Sequence, residues 1–219
     1  MSNNKNSIKN MVKLSYSEEV GNVVTHGIMA TIFLFLIPFS AVYAYINGGL
    51  LLSFGTSIFV ICIFLMLLVS TLYHSMEFGS PHKVVFRILD HVFIYFAIAG
   101  SYTPIHLSLI GGWKAVVILV IQWTSVFLGI MYKAVAKKEY PKFTLSIYLV
   151  MGWVAVLFMP TLIRNSQPIF LLLIILGGVM YSIGAFFYTR KKKWAHVIWH
   201  LFIGAASISH YIAIVFYLV

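Results

Sequence analysis

Long apolar stretches separated by short polar breaks run through almost the whole chain. A helix needs roughly 20 mostly apolar residues to cross a bilayer, and each stretch is about that long. The breaks carry turn-forming residues, such as Asn47-Gly48-Gly49 and Asn165-Ser166-Gln167-Pro168. The pattern predicts an all-α fold, a seven-transmembrane helix bundle that forms one domain over 22–219 after a polar cytoplasmic segment, 1–21. The predicted spans are 22–46, 50–74, 86–109, 114–136, 143–163, 168–189 and 194–219.

Basic residues gather on alternate connections between these spans. Only Lys114 and Arg164 fall on the opposite connections. Cytoplasmic loops are enriched in Lys and Arg, so the distribution predicts a cytoplasmic N-terminus and a C-terminus outside. The other thirteen of the fifteen basic residues are Lys5, Lys9, Lys13, Lys83, Arg87, Lys133, Lys137, Lys138, Lys142, Arg190, Lys191, Lys192 and Lys193.

The composition agrees with a bilayer protein. The 219 residues are 61% hydrophobic and 9% charged, whereas a soluble domain has about 25% charged residues. The net charge of +10 does not indicate nucleic acid, because that reading needs a basic face on a soluble domain. The polar start lacks the apolar core of a cleavable signal, so the first span is expected to direct its own insertion. Cys62 is the single cysteine and is expected only to pack.

Polar side chains recur at the span ends that face the cytoplasm in this topology. Ionisable groups inside a membrane are costly, so each is a candidate functional residue. Four spans bring such groups to one depth. They are Asn22, Thr25 and His26 in span 1, Ser70 and His74 in span 2, Asp90 and His91 in span 3, and His196 and His200 in span 7.

The histidines of span 7 are spaced as metal ligands. His196 and His200 are i and i+4, so both imidazoles lie on one helix face. With His74 as a third ligand, the set predicts a zinc site with one open position, as in catalytic centres. Asp90 and Ser70 are then candidates to hold water or orient a ligand there. An interhelical hydrogen-bond network is the alternative explanation for these histidines.

The remaining histidines have simpler expected roles. His26 is expected to bond a neighbouring carbonyl or hydroxyl rather than a metal. His82, in a loop, and His106, near the outer end of span 3, are expected to be solvated. His210 lies about 21 Å along the helix from the first histidine of span 7, so it can line the bundle interior but cannot share the ion. Pro104 predicts a break or kink in span 3.

Four motifs in order along the chain resemble the hemolysin III family. This family is the bacterial branch of the progestin and adiponectin receptor family, and it is related more distantly to alkaline ceramidases. The motifs are Glu19-x-x-Asn22-x-x-Thr25-His26; Ser70-x-x-x-His74; Asp90 with Gly100-Ser101-Tyr102-Thr103-Pro104; and His196-x-x-x-His200 followed by Ala205-Ala206 and His210. In one departure, His91 follows Asp90 where receptor members often carry an aromatic residue.

The resemblance implies an adiponectin-receptor-like bundle in a bacterial cell membrane. It also implies zinc near the cytoplasmic face, with His74, His196 and His200 as ligands and with Asp90 and Ser70 around the water at the metal. These expectations agree with the layer of polar residues described above.

Several functions fit this arrangement. The first is a zinc-dependent hydrolase of a lipid amide or similar bond, with Asp90 as general base, Ser70 as a positioning group and a membrane lipid as substrate. The second is a receptor or membrane-homeostasis regulator with structural zinc. A cytolysin ranks lowest, and an ion transporter would have Asp90 as its only buried acid. The sequence leaves the oligomeric state open, and other imidazole-binding divalent ions remain alternatives to zinc.

Overall fold

The computed structural model describes residues 13–136 and 140–218, and these residues are almost entirely helical. No strand occurs among them. A π-helix, His106–Ile110, follows α2, and a 3₁₀ turn, Val154–Phe158, separates α4 from α5. The α-helices are α1 (Tyr16–Ser75), α2 (Pro81–Ile105), α3 (Gly112–Val135), α4 (Pro141–Trp153), α5 (Met159–Asn165), α6 (Pro168–Tyr188) and α7 (Ala195–Tyr217).

Six helical segments in the described part of the chain are long and apolar enough to cross a membrane. They are α1, α2 with its π-helix, α3, α4 through α5, α6 and α7. Many large apolar side chains on the outside of the molecule are exposed, including Phe35 at 72% and Leu50 at 75%. Such a surface suits contact with lipid, so the protein is a multi-span membrane protein.

The first of these segments is folded back on itself. A straight helix of this length would place residues 22 and 74 ~78 Å apart, yet Asn22 Nδ2 lies 3.3 Å from His74 Nδ1. The chain reverses at Gly49, whose φ of 74° and ψ of −167° are accessible essentially to glycine alone. Close to the reversal, Ser53 Oγ donates to the Ala41 carbonyl at 2.8 Å. The two predicted spans on either side of Asn47-Gly48-Gly49 are therefore antiparallel arms of α1.

Helix α1 begins at Tyr16, ahead of the predicted start at residue 22. Ser15 accepts a hydrogen bond from the Glu18 N–H, and Glu18 accepts one from the Ser15 N–H at 3.1 Å, which is a capping box. This cap satisfies donors at the helix N-terminus and starts the helix within the polar segment. Of the predicted polar segment, residues 1–12 lie outside the described part of the chain.

Two helices depart from regular α geometry. The α-form of α2 ends one residue after Pro104 and gives way to the π-helix, in line with the predicted break. The 3₁₀ turn after α4 was not predicted. The Tyr102 hydroxyl supports this turn, because it donates to the Gly152 carbonyl at 2.8 Å and accepts from the Ala155 N–H at 2.8 Å. A side chain of α2 thus satisfies backbone groups of its neighbour where the helix geometry changes.

The main core lies between the two arms of α1 and helix α7. Phe33, Phe59 and Ile214 are almost completely buried there. Gly55 lets α1 approach α2 closely, since a Cβ at this position would lie 2.8 Å from the Pro104 Cα. This packing brings the C-terminal end of α1 and the first turns of α2 and α7 together, and those are the segments that carry the predicted site.

Candidate metal centre

Three histidines from the two ends of the chain meet in one cluster. His74 comes from the last turn of α1, and His196 and His200 come from the first two turns of α7. One ring nitrogen from each lies within 4.8 Å of the others. The Nε2 atoms of all three are buried and have no hydrogen-bond partner among the described residues. The predicted trio is therefore brought together, with one bare nitrogen on each ring.

The start of α7 is fixed by the first turn of α1. Trp194, just before α7, has a left-handed conformation with φ of 67°. Its N–H donates to Glu18 Oε1 at 2.9 Å, which holds this uncommon backbone conformation in place. His196 lies in the first turn of α7, and His200 lies in the second. The Glu18 carboxylate, which caps α1, thus also fixes where α7 starts and so the positions of its two histidines.

A partly buried ion pair orients His74. Its Nδ1 lies 2.6 Å from Glu19 Oε2, and Lys83 Nζ donates to Glu19 Oε1 at 2.9 Å. Lys83 is only 2% exposed and also donates to the Met76 carbonyl at 3.0 Å. An ionised carboxylate can only accept, so Nδ1 carries a proton, and in a neutral ring the lone pair is then on Nε2. A carboxylate behind a histidine is the usual support of a metal ligand.

Sequence reasoning did not assign these two supporting roles. Lys83 was counted only as a charge that reports topology, and Glu19 was noted only within a motif. The pairing joins residues far apart in the sequence, and no spacing rule identifies it. One signal did exist, because Glu19 lies only three residues before the predicted apolar span that starts at residue 22, and a carboxylate so close to a span requires a partner.

His26 differs from its expected role. Its ring stacks on the His200 ring, with 3.6 Å between the centroids and 4° between the planes. Neither of its ring nitrogens has a hydrogen-bond partner in the described part of the chain, so the predicted bond to a carbonyl or hydroxyl was wrong. Thr25 Oγ1, one residue earlier, lies 3.5 Å from His200 Nδ1.

Asp90 and Ser70 lie in the wall of a cavity beside the histidine cluster. We call this the first cavity, and its volume is about 110 Å³. Both side chains are buried, at 7% and 2% exposure, and neither belongs to the group of three clustered histidines. His26 lines the same cavity, so its ring connects the cavity to His200. Most of the remaining wall is apolar and includes Met66, Ile94, Ile98, Leu145, Leu149 and Ile203.

The other histidines are dispersed. His82 is exposed, as expected. His106 is 2% exposed, so the prediction that it is solvated was wrong: Tyr102 stacks on its ring and Phe158 meets the ring edge-on. His91 Nδ1 lies 2.7 Å from the Arg87 carbonyl. His210 lines the bundle interior, as expected.

The residues present fit a zinc ion. Neutral imidazole nitrogens are preferred zinc ligands, and three of them with an open fourth position form the usual catalytic set. The bare Nε2 atoms would supply these donors, and the supporting Glu19 would supply the outer carboxylate. The same donors also suit other first-row divalent ions.

The fold and the site together define a class: a helical, multi-span membrane protein with a buried three-histidine cluster beside a mainly apolar cavity. The chain matches the family model described as haemolysin-III related over residues 14–211. It therefore belongs to the haemolysin-III-related family, as its motifs predicted.

Named relatives extend this assignment. The chain is 35% identical over 207 residues to "Hemolysin-3 homolog" of Bacillus subtilis (strain 168), covering 92% of this chain and 95% of the relative. It is 33% identical over 201 residues to "Hemolysin-3" of Bacillus cereus, covering 91% of each. A more distant match is the human "Monocyte to macrophage differentiation factor", with 31% identity over 160 residues, 70% of this chain and 66% of the relative.

Proposed function

We propose that this protein is a zinc-dependent hydrolase of an amide or related bond in a membrane lipid. The observation that supports this function best is the position of three bare histidine nitrogens beside a mainly apolar cavity whose wall contains Asp90 and Ser70. Zinc held by His74, His196 and His200 would supply Lewis acidity toward a substrate carbonyl and make a water molecule easier to deprotonate.

The other groups have complementary roles in this proposal. The Asp90 carboxylate accepts a proton from the attacking water and returns it to the leaving amine. The Ser70 hydroxyl, one helical turn before His74, positions the water or the substrate carbonyl. His26, in the cavity wall, has free ring nitrogens that can bond a polar group of the lipid. Apolar side chains line the rest of the cavity and exclude bulk water from the reaction.

The proposed topology has seven crossings, with the N-terminus in the cytoplasm and the C-terminus outside. Six helical segments in the described part of the chain, the first of them folded back at Gly49, support an odd number of crossings, which would put the termini on opposite sides. The pairs Glu19–Lys83 and Glu18–Trp194 join segments at the proposed cytoplasmic end. The alternation of basic residues supports this orientation. Among those residues, Lys5, Lys9, Lys137 and Lys138 lie outside the described part of the chain.

The hydrolase proposal is tested with purified protein in liposomes that contain a lipid amide, an N-acyl sphingosine, or an ester of the same acyl chain. Released fatty acid is measured by mass spectrometry. We expect release from the amide with zinc-loaded protein, its loss after chelation, and its return when zinc is added. A folded preparation with about one zinc per chain that releases no fatty acid from either lipid would contradict the proposal. That result would favour a receptor or membrane regulator with structural zinc; the cytolysin alternative rests only on the relatives' names.

A further prediction concerns the carboxylate behind His74. In Glu19→Gln the side chain still accepts a hydrogen bond but loses the charge that orients and polarises the imidazole. We expect zinc affinity to fall roughly 10–100-fold, measured by competition with a chromophoric chelator. Glu77→Gln is the matched control, because Glu77 is exposed in the loop after α1. Equal affinity in Glu19→Gln and the wild type would show that this carboxylate does not support the metal.

A further inference from the structure

A second cavity lies further along α2, away from the three-histidine cluster. Its volume is about 80 Å³. The wall is largely apolar and includes Ile105, Ile110, Val156, Phe158, Met159 and Ile175. His106, His210, Ser101 and Tyr102 are polar side chains in this wall, and His210 and Ser101 also line the first cavity. The proposed hydrolase assigns neither histidine a role.

His106 offers an unused hydrogen-bond acceptor. Its Nδ1 lies 2.9 Å from the Tyr102 carbonyl, and a carbonyl can only accept, so Nδ1 carries the proton. In a neutral ring the lone pair is then on Nε2. That atom is buried and has no partner in the described part of the chain. A buried acceptor without a partner costs free energy, which a ligand with a suitable donor would recover.

The backbone at His106 departs from regular α-helical geometry. His106 is the first residue of the π-helix, a distortion that is frequent at functional sites. The extra residue in the π-helical turn displaces the chain just beyond Pro104. The π-helix ends at Gly111, whose φ is 62°. Tyr102 and Phe158 contact the imidazole and hold its plane.

His210 is a second hydrogen-bond acceptor in the wall of the second cavity. Its Nε2 lies 3.1 Å from the Ile174 carbonyl, so the proton is on Nε2 and the lone pair on Nδ1. Gly177 makes room for this ring, because a Cβ there would lie 2.3 Å from the His210 Cδ2. Both histidines of the wall are thus neutral acceptors in an apolar setting. The lone pairs would repel an anionic ligand, and burying an unpaired cation in the cavity is costly. This chemistry therefore disfavours both kinds of charged ligand.

We propose that the second cavity binds an uncharged amphiphile through a hydroxyl or N–H group that donates to His106 Nε2. The apolar part of the ligand packs against Phe158, Met159 and Ile175. The second cavity adjoins the first, because Ser101 and His210 line both, but His106 lines only the second, and the proposed binding does not depend on a metal.

The test uses two isomeric probes, heptanol and hexyl methyl ether. They have the same atoms, but only heptanol has a hydrogen-bond donor. The protein carries nitrogen-15 histidine and is reconstituted in phosphatidylcholine, whose molecules have no donor. Nitrogen NMR then follows the Nε2 resonance of His106, which is assigned by its loss in His106→Phe. The resonance of exposed His82 is the control.

We expect heptanol to shift the His106 resonance saturably, at a concentration roughly 3–10-fold below any effect of the ether. Equal shifts with both isomers, or no shift with either, would overturn the proposal. The comparison of isomers is made on the wild-type protein, and the variant serves only to assign the resonance. Zinc content and lipid hydrolysis are measured separately, and His106→Phe should leave the zinc content unchanged.

Discussion

His200→Ala should be purified with less than about a tenth of the zinc that the wild-type protein carries. Removing one of three imidazole ligands leaves two protein donors, which is below the set that holds a catalytic zinc ion. The effect should be large because His200 is 1% exposed and its Nε2 has no other role among the described residues. Elemental analysis of detergent-purified protein measures the metal directly, with about one zinc per chain expected for the wild type.

His82→Ala is the matched control for this measurement, since His82 is exposed and is not one of the three clustered histidines. It should keep the full zinc content. His74→Ala and His196→Ala should lose zinc as His200→Ala does. If folded wild-type protein carries no metal after growth with zinc, the three histidines form a hydrogen-bonded core instead. Thermal unfolding of each variant separates loss of the metal from loss of the fold.

Asp90→Asn should lower the rate of lipid hydrolysis about 10²–10⁴-fold while most of the zinc is kept. Asparagine has nearly the same shape but cannot accept a proton as a general base, and this is the usual cost of removing such a base. Asp90 lies in the wall of the first cavity rather than in the histidine cluster, so the metal should remain bound. Fatty-acid release and zinc content are measured on the same preparation.

Asp90→Glu and Glu77→Gln are the controls for Asp90→Asn. The first keeps a carboxylate and should retain part of the activity, whereas the second removes an exposed acid and should retain all of it. Unchanged hydrolysis in Asp90→Asn would show that another group takes the proton. Loss of both zinc and activity in this variant would instead place Asp90 among the metal ligands.

The all-helical membrane fold was predictable because each span follows from one local quantity, the length of an apolar stretch. The reversal at Gly49 was equally local, since Asn47-Gly48-Gly49 is turn chemistry. The 3₁₀ turn after α4 was not predictable. It depends on the Tyr102 hydroxyl of another helix, and nothing within residues 154–158 identifies it. His106 was misjudged for a similar reason, because aromatic rings from two segments cover it.

The parts of the candidate site that depend on helix periodicity or on membrane topology were predictable from the sequence. His196 and His200 share a face by their spacing, and alternating basic loops bring His74 to the same depth. The stacking of His26 on His200 and the ion pair behind His74 depend on side-chain orientation across helices, which neither period nor topology determines. The second cavity is also a product of packing rather than of any motif.

The adjacent residues Glu18 and Glu19 pair with parts of the chain that are synthesised after them. Both precede their partners in the chain, since Lys83 follows Glu19 by 64 residues and Trp194 follows Glu18 by 176. Until α7 is inserted, the Glu18 carboxylate lacks its partner on that helix and His74 lacks the two other histidines. A chain truncated before α7 could orient one imidazole but could not assemble the cluster. Metal capture would then report that the last helix has reached its place in the membrane.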